Sequence, residues 1–169
     1  KRQVRVLTSA GNKHRMAGAR IHDYSHTMWK QDVDILVGGA GKVLVIPFIL
    51  NAAGHVKMEL PAALEAARVR HPAVSFAVSR HLGMGREILA VLQGQLDRLM
   101  RALDVPDPQT TGVILLGRGS SDVGANGELA RMARWICEAN DHELVDLAFT
   151  GVTWPRLEIV VQRQMKLGM

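Results

Sequence analysis

Three features of the chain predict an α/β fold built on parallel strands. Strand-like and helix-like segments alternate along it, which favours helices packed on a parallel sheet. Val43–Leu50 is a continuous apolar, β-branched run, the pattern of a strand buried on both faces. After a proline-containing break, a new strand–loop–helix unit starts at Val113. In such folds ligands sit beyond the carboxyl ends of the strands, so the strand-to-loop junctions are where chemistry is expected.

Taken in order, Val4–Leu7 reads as a short strand, and Thr8–Arg20 carries no clean period. His26–Val37 reads as a modest helix, because Met28, Val33, Leu36 and Val37 share a face, and Gly38-Gly39-Ala40-Gly41 stops it. The strand Val43–Leu50 is closed by Pro47 and Asn51, and a loop follows at Ala52–Glu59. Pro61 suits the first turn of a helix running to about Arg70. Val74–Val78 alternates as a strand. Arg86–Leu103 has the strongest helical pattern, with Ile88, Leu89, Leu92, Leu96, Leu99 and Leu103 at helical spacing. Asp104–Thr111 holds two prolines and no apolar cluster, and reads as a linker. Beyond it come a strand at Val113–Leu116, a Gly/Ser-rich loop at Gly117–Gly124 and a helix at Asn126–Ala139 with Leu129, Met132, Ala133 and Ile136 inward. A strand at Leu144–Phe149 and a helix at Pro155–Leu167 complete the pattern.

Composition excludes several classes. With 169 residues, 47% hydrophobic and 22% charged, the chain buries a core and is neither a disordered tail nor a low-complexity array. Its longest apolar run falls far short of the roughly 20 residues of a membrane span, so no membrane partner is expected. The single cysteine, Cys137, excludes a disulfide framework and a cysteine-based zinc module, and reads as a small core or boundary residue in mid-helix. No apolar leader follows the initial Lys-Arg, so a cytoplasmic protein is expected. The pI of 9.9 hints at nucleic acid, but aromatics are 4% and no basic stripe is interleaved with them, so no nucleic-acid partner is expected. The net charge of +5 is uneven: residues 1–41 carry seven Lys/Arg against three Asp, leaving only +1 for the rest.

Standard motifs fail. Lys42 is followed by Val43 rather than Ser or Thr, so Gly41-Lys42 is no phosphate loop. Gly117-Arg118-Gly119 starts like a dinucleotide fingerprint, but Asp122 stands where its third glycine belongs. Among the histidines, His22 and His26 are four apart in a segment that is not convincingly helical. His71 looks like a helix cap, and His142 sits in a polar turn. His81 follows a strand and can face the crevice, while His55 lies in a glycine-bearing loop after the most buried strand and is the best placed for chemistry.

The stretch from Pro47 to Pro61, P-F-I-L-N-A-A-G-H-V-K-M-E-L-P, resembles the sirohydrochlorin cobaltochelatases, class II tetrapyrrole chelatases. The family pattern is a strand ending in Pro, a small-residue loop, Gly-His, three residues, an acid, an aliphatic and Pro; Glu59 replaces the usual Asp. The resemblance continues at Ala67–Val74 and Arg80–Gly83, and resumes at Val113–Asn126 and Phe149–Glu158, matching the long, two-repeat form over roughly Gly38–Met169. It implies chelatase-like, three-layer parallel-sheet half-domains. It also implies insertion of a divalent metal, Co2+ first and Fe2+ or Ni2+ as alternatives, into sirohydrochlorin in cobalamin or sirohaem synthesis. His55 would be metal ligand and proton acceptor, with Glu59 as the second catalytic residue. Neutral imidazole suits both roles near pH 7. A second family histidine lies in a Gly-His-Gly-Ser loop; the corresponding loop here carries Arg118, which neither accepts a proton nor ligates a metal but binds carboxylates. Arg118, with the amides of Gly119, Ser120 and Ser121, is the expected substrate-carboxylate site. A homo-oligomer stays open, as does a non-catalytic tetrapyrrole- or metal-binding role.

An internal offset of 129 residues relates Gly39 to Gly168. Applied to Gly117, it places the first copy of that loop ahead of Lys1; applied to His55, it places a second copy beyond Met169. The expected organisation is an atypical segment at 1–20, of foreign origin, then the C-terminal part of a first half-domain at 21–103. The linker at 104–111 and the N-terminal part of a second half-domain at 112–169 follow.

Overall fold

The computed structural model describes residues 40–169 and, ahead of them, three short strands: β1 (Val6–Thr8), β2 (Arg15–Met16) and β3 (Ala19–Asp23). The helix expected at His26–Val37 lies outside the described residues, as does His26. By packing, the chain divides into two compact units, Lys1–Gly83 and Met84–Met169. The linker Asp104–Thr111 thus falls inside the second unit; the break in the sequence pattern and the break in packing are different boundaries.

In the first unit, β4 (Lys42–Val45) and β5 (Ser75–Val78) extend a five-stranded sheet of order β2-β3-β1-β4-β5. β1 runs parallel to β3 and β4, and β4 parallel to β5, with Val43 opposite Phe76; β2 joins β3 antiparallel. β4 is shorter than the expected Val43–Leu50. Pro47 has no N–H to give the ladder, and beyond it Phe48 and Leu50 are exposed. A looser pairing continues, in which Ser79 N–H donates to Val45 O (2.9 Å), Leu82 N–H to Pro47 O (3.2 Å) and Gly83 N–H to Ile49 O (3.2 Å). Helix α1 (Leu60–Arg70) lays Leu60, Leu64 and Ala67 on Val43, Val45 and Phe76 to make this unit's core. His71 caps its C-terminal end, as expected, with its N–H on Ala67 O, and Pro72 prevents continuation.

The second unit opens with α2 (Arg86–Met100) and contains the parallel pair β6 (Val113–Gly117) and β7 (Val145–Phe149), with Val113 opposite Val145 and Gly117 opposite Phe149. Helices α3 (Val123–Glu138) and α4 (Leu157–Lys166) flank the pair. Successive strand residues point to opposite faces. Leu115 and Val145 join the cluster of Met132 and Ile136 from α3, whereas Asp146 accepts from Gln164 and Arg163 of α4. The two helices therefore cover opposite faces, which gives the expected three layers here. Helix α2 adds Leu89, Leu92 and Leu96 to the α3 cluster.

Segment 104–111 is tied down rather than loose. Asp107 accepts from the Gln109 amide and the Thr110 hydroxyl, an Asx-type turn, and Gln109 Nε2 donates to Asp141 O. His142, expected in a polar turn, is instead buried at 7% exposure, with its Nδ1 2.9 Å from Thr111 O. A buried imidazole needs such a partner. Cys137 is half-buried, in keeping with a boundary position.

Candidate functional site

The loop expected at Ala52–Glu59 is helical in its second half. Val56 and Lys57 amides both bond Ala53 O at 3.0 Å and start a turn. His55–Glu59 then forms a π-helical turn, closed by Leu60 N–H on His55 O, and runs directly into α1. Pro61 accounts for the wide turn. It cannot donate to the carbonyl four residues back, and its ring would clash there in an α-turn. Single π-turns of this kind are frequent at functional sites.

The widened turn stacks residues four apart. His55 Nδ1 lies 2.9 Å from Glu59 Oε2, with the two side chains 30% and 46% exposed. A carboxylate accepting from Nδ1–H fixes the tautomer and the orientation of the ring, and places the imidazole lone pair on Nε2. The sequence-predicted catalytic pair is thus brought together. Among the described residues no group of three or more His, Cys, Asp or Glu is clustered to hold a metal, so the dyad offers one nitrogen and one carboxylate rather than a closed cage.

A cavity of about 640 Å3 opens beside this turn, at the carboxyl ends of β4 and β5. Pro47, Val56, Leu60, Pro61 and Val78 give it apolar walls; Arg68, Arg80 and His81 supply its basic groups. Val56 and Leu60 are helical neighbours of His55 and Glu59, so dyad and cavity share one turn of backbone. The size and the apolar lining with few polar groups are those of a small-molecule site. His81 stands in the crevice, as expected from its place after β5. Arg68 and Arg80 fall in the resembling stretches Ala67–Val74 and Arg80–Gly83 but have no site role among the sequence expectations; the readable signal is a basic pair, Arg80-His81, just past a strand.

Arg118, Gly119, Ser120 and Ser121 lie in the second unit, at the carboxyl end of β6, and Arg118 is exposed. Gly119 is buried with φ +89°, and a Cβ there would run into the Gly151 carbonyl and crowd Thr153. The neighbouring loop is locked on by Thr150 N–H to Gly117 O (2.9 Å) and Gly151 N–H to Arg118 O (3.0 Å). One expectation needs correcting. The Ser120 amide donates to Asn126 Oδ1 (3.0 Å), its carbonyl accepts from Asn126 Nδ2 (2.8 Å) and its hydroxyl accepts from the Asp122 amide (3.0 Å). Ser120 therefore builds the loop and its amide is not offered to a ligand. Asp122, which breaks the dinucleotide pattern, is the N-cap of α3, accepting from Ala125 N–H at 3.2 Å. That is why α3 begins at Val123 rather than Asn126.

His22 lies in strand β3, and His26 lies outside the described residues. No helix among the described residues is long and apolar enough to cross a membrane.

The CbiX family model matches residues 10–99 and 112–169. The chain belongs to the CbiX family. Among relatives, this CbiX chain is similar to a sirohydrochlorin cobaltochelatase of Priestia megaterium, 39% identical over 139 residues, covering 82% of this chain and 45% of that protein. It is also similar to a sirohydrochlorin ferrochelatase of the same organism, 23% identical over 120 residues, covering 71% and 44%. The chain spans about half the length of the curated relatives it matches. Among solved structures, SirB from Bacillus subtilis with Fe3+ superposes with a TM-score of 0.71 at 18% identity, covering 96% of this chain and 71% of that one. SirB from Bacillus subtilis subspecies spizizenii in complex with cobalt gives 0.61 at 14% identity, covering 99% and 82%. At these identities the likeness shows the fold: α/β, with short parallel sheets, as in the SirB chelatases.

Proposed function

We propose that this CbiX chain acts in the cytoplasm in the insertion of a divalent metal, Co2+ ahead of Fe2+ or Ni2+, into sirohydrochlorin in cobalamin biosynthesis. The observation that carries the reading is the His55–Glu59 dyad on a π-turn beside an apolar cavity. The cobaltochelatase name of the relative at 39% identity supports the metal and the substrate.

Insertion replaces two pyrrole N–H protons by one divalent ion, so the site must take up protons one after the other and present the metal. His55 Nε2 accepts a pyrrole proton, and Glu59 stabilises the imidazolium that results. The half-exposed dyad then returns the proton to water and is ready for the second transfer. When it carries no proton, the same Nε2 lone pair is a ligand for the incoming ion, a borderline donor suited to cobalt, iron and nickel alike; it serves one role at a time. Within the second unit taken by itself, Arg118 with the Gly119 and Ser121 amides is a separate candidate for binding carboxylates.

Mixing the chain with sirohydrochlorin and Co2+ and following the absorption spectrum tests this. Metal-dependent spectral change faster than the enzyme-free rate is expected, and loss of that acceleration in His55→Ala. An unchanged rate in the variant would remove His55 from the reaction. A second reading, binding without turnover, is favoured by Arg118 standing where a family histidine would be; it predicts a bound but unmetallated spectrum.

A further inference from the structure

We propose that Arg80 and His81 form the carboxylate-binding rim of the cavity beside the His55–Glu59 turn, and so set how the macrocycle is oriented there. The proposal rests on the tetrapyrrole reading above and adds which residues grip the ligand's acidic side chains. Four basic or acidic groups bear on the cavity: Arg68, Arg80, His81 and Glu65. Arg68 is spoken for, since its Nη1 donates to Glu65 Oε2 at 3.0 Å. Arg80 forms no ion pair with any described carboxylate, so it leaves the rim with a positive charge and five N–H donors. The walls beneath it are apolar, which suits the face of a planar ring, while the guanidinium suits carboxylates at the ring's edge.

The backbone that carries the pair is held in place. Ser79 Oγ–H donates to Arg80 O at 2.9 Å, and Ser79, Leu82 and Gly83 amides bond the chain running out of β4. Gly83 has φ +74°, and the His81 ring lies over it, with Nε2 3.8 Å from where a Cβ would stand. The backbone of this basic dipeptide is fixed on both sides, at the carboxyl end of β5, so little backbone freedom is lost when a ligand docks.

The test uses the full chain with sirohydrochlorin and with its fully methyl-esterified form, binding being read by absorbance titration at fixed salt. Arg80→Gln is expected to weaken binding of the free acid about tenfold and to leave the ester unaffected, with Arg80→Lys in between. The melting temperature of the variant should match the parent, because Arg80 is exposed. Equal losses for acid and ester, or no loss for either, would overturn the rim assignment while leaving the tetrapyrrole reading intact. Failure of the parent chain to bind either form would overturn both.

Discussion

Glu59 reaches His55 from four residues on, across one helical turn, and its contribution is separable from that of the imidazole. Glu59→Gln keeps the shape and removes the charge that fixes the His55 tautomer. Changes of this kind around a ligating histidine cost about 10–100-fold in metal affinity or activity; a loss in that range is expected in the Co2+ insertion rate, with the fold intact by circular dichroism. Gly119 is a residue of another sort. Its φ of +89° and the Gly151 carbonyl beside it exclude a side chain. Gly119→Ala is expected to destabilise the chain by more than about 1 kcal/mol, read as a lower midpoint in urea. A midpoint unchanged from the parent would mean that the two loops are not packed as described.

At the scale of elements, α3 is the element that organises the second unit. It is capped by Asp122, contributes Met132 and Ile136 to the core, and meets both strands and α2. Met132 is fully buried at 0% exposure. Met132→Ala should therefore cost about 2–5 kcal/mol from lost transfer energy and the cavity left behind, whereas the same change at the exposed Met165 should be nearly neutral. Equilibrium unfolding of the two variants side by side checks this. The opposite face is held by polar bonds: Gln164, buried at 6%, donates to Val113 O and Asp146, and Arg163 lies 2.6 Å from Asp146. Helical spacing in Pro155–Leu167 located α4, but its apolar pattern alone does not show that a buried glutamine fastens it. Burial of a polar side chain depends on partners 18 and 51 residues away in sequence.

For the molecule as a whole, the charge is uneven: residues 1–41 carry +4 of the net +5 and the rest of the chain only +1. Attraction of an anionic ligand to the proposed rim therefore rests on the local charge of Arg80 rather than on the net charge. Association with sirohydrochlorin is expected to slow severalfold when ionic strength is raised until the Debye length falls well below about 10 Å, as stopped-flow absorbance would show. Salt-independent association would mean that apolar contact alone drives docking.

Alternation of strands and helices, the buried runs at Val43 and Val113, and the Gly-His…Glu-Leu-Pro pattern were all legible in the sequence, because each rests on local periodicity or on a short spacing. They determined the α/β class, the family and the pairing of His55 with Glu59 as candidates. Tertiary structure decided the rest, through contacts between residues far apart in the chain. It cut β4 short at Pro47 and turned the loop before α1 into a π-turn. It gave the Ser120 amide to Asn126 and buried His142 against Thr111. It also set Arg80 and His81 on the rim of a cavity whose far wall is a helix more than ten residues earlier. A side chain's partner depends on which backbone passes within about 3 Å of it, and no local pattern carries that distance.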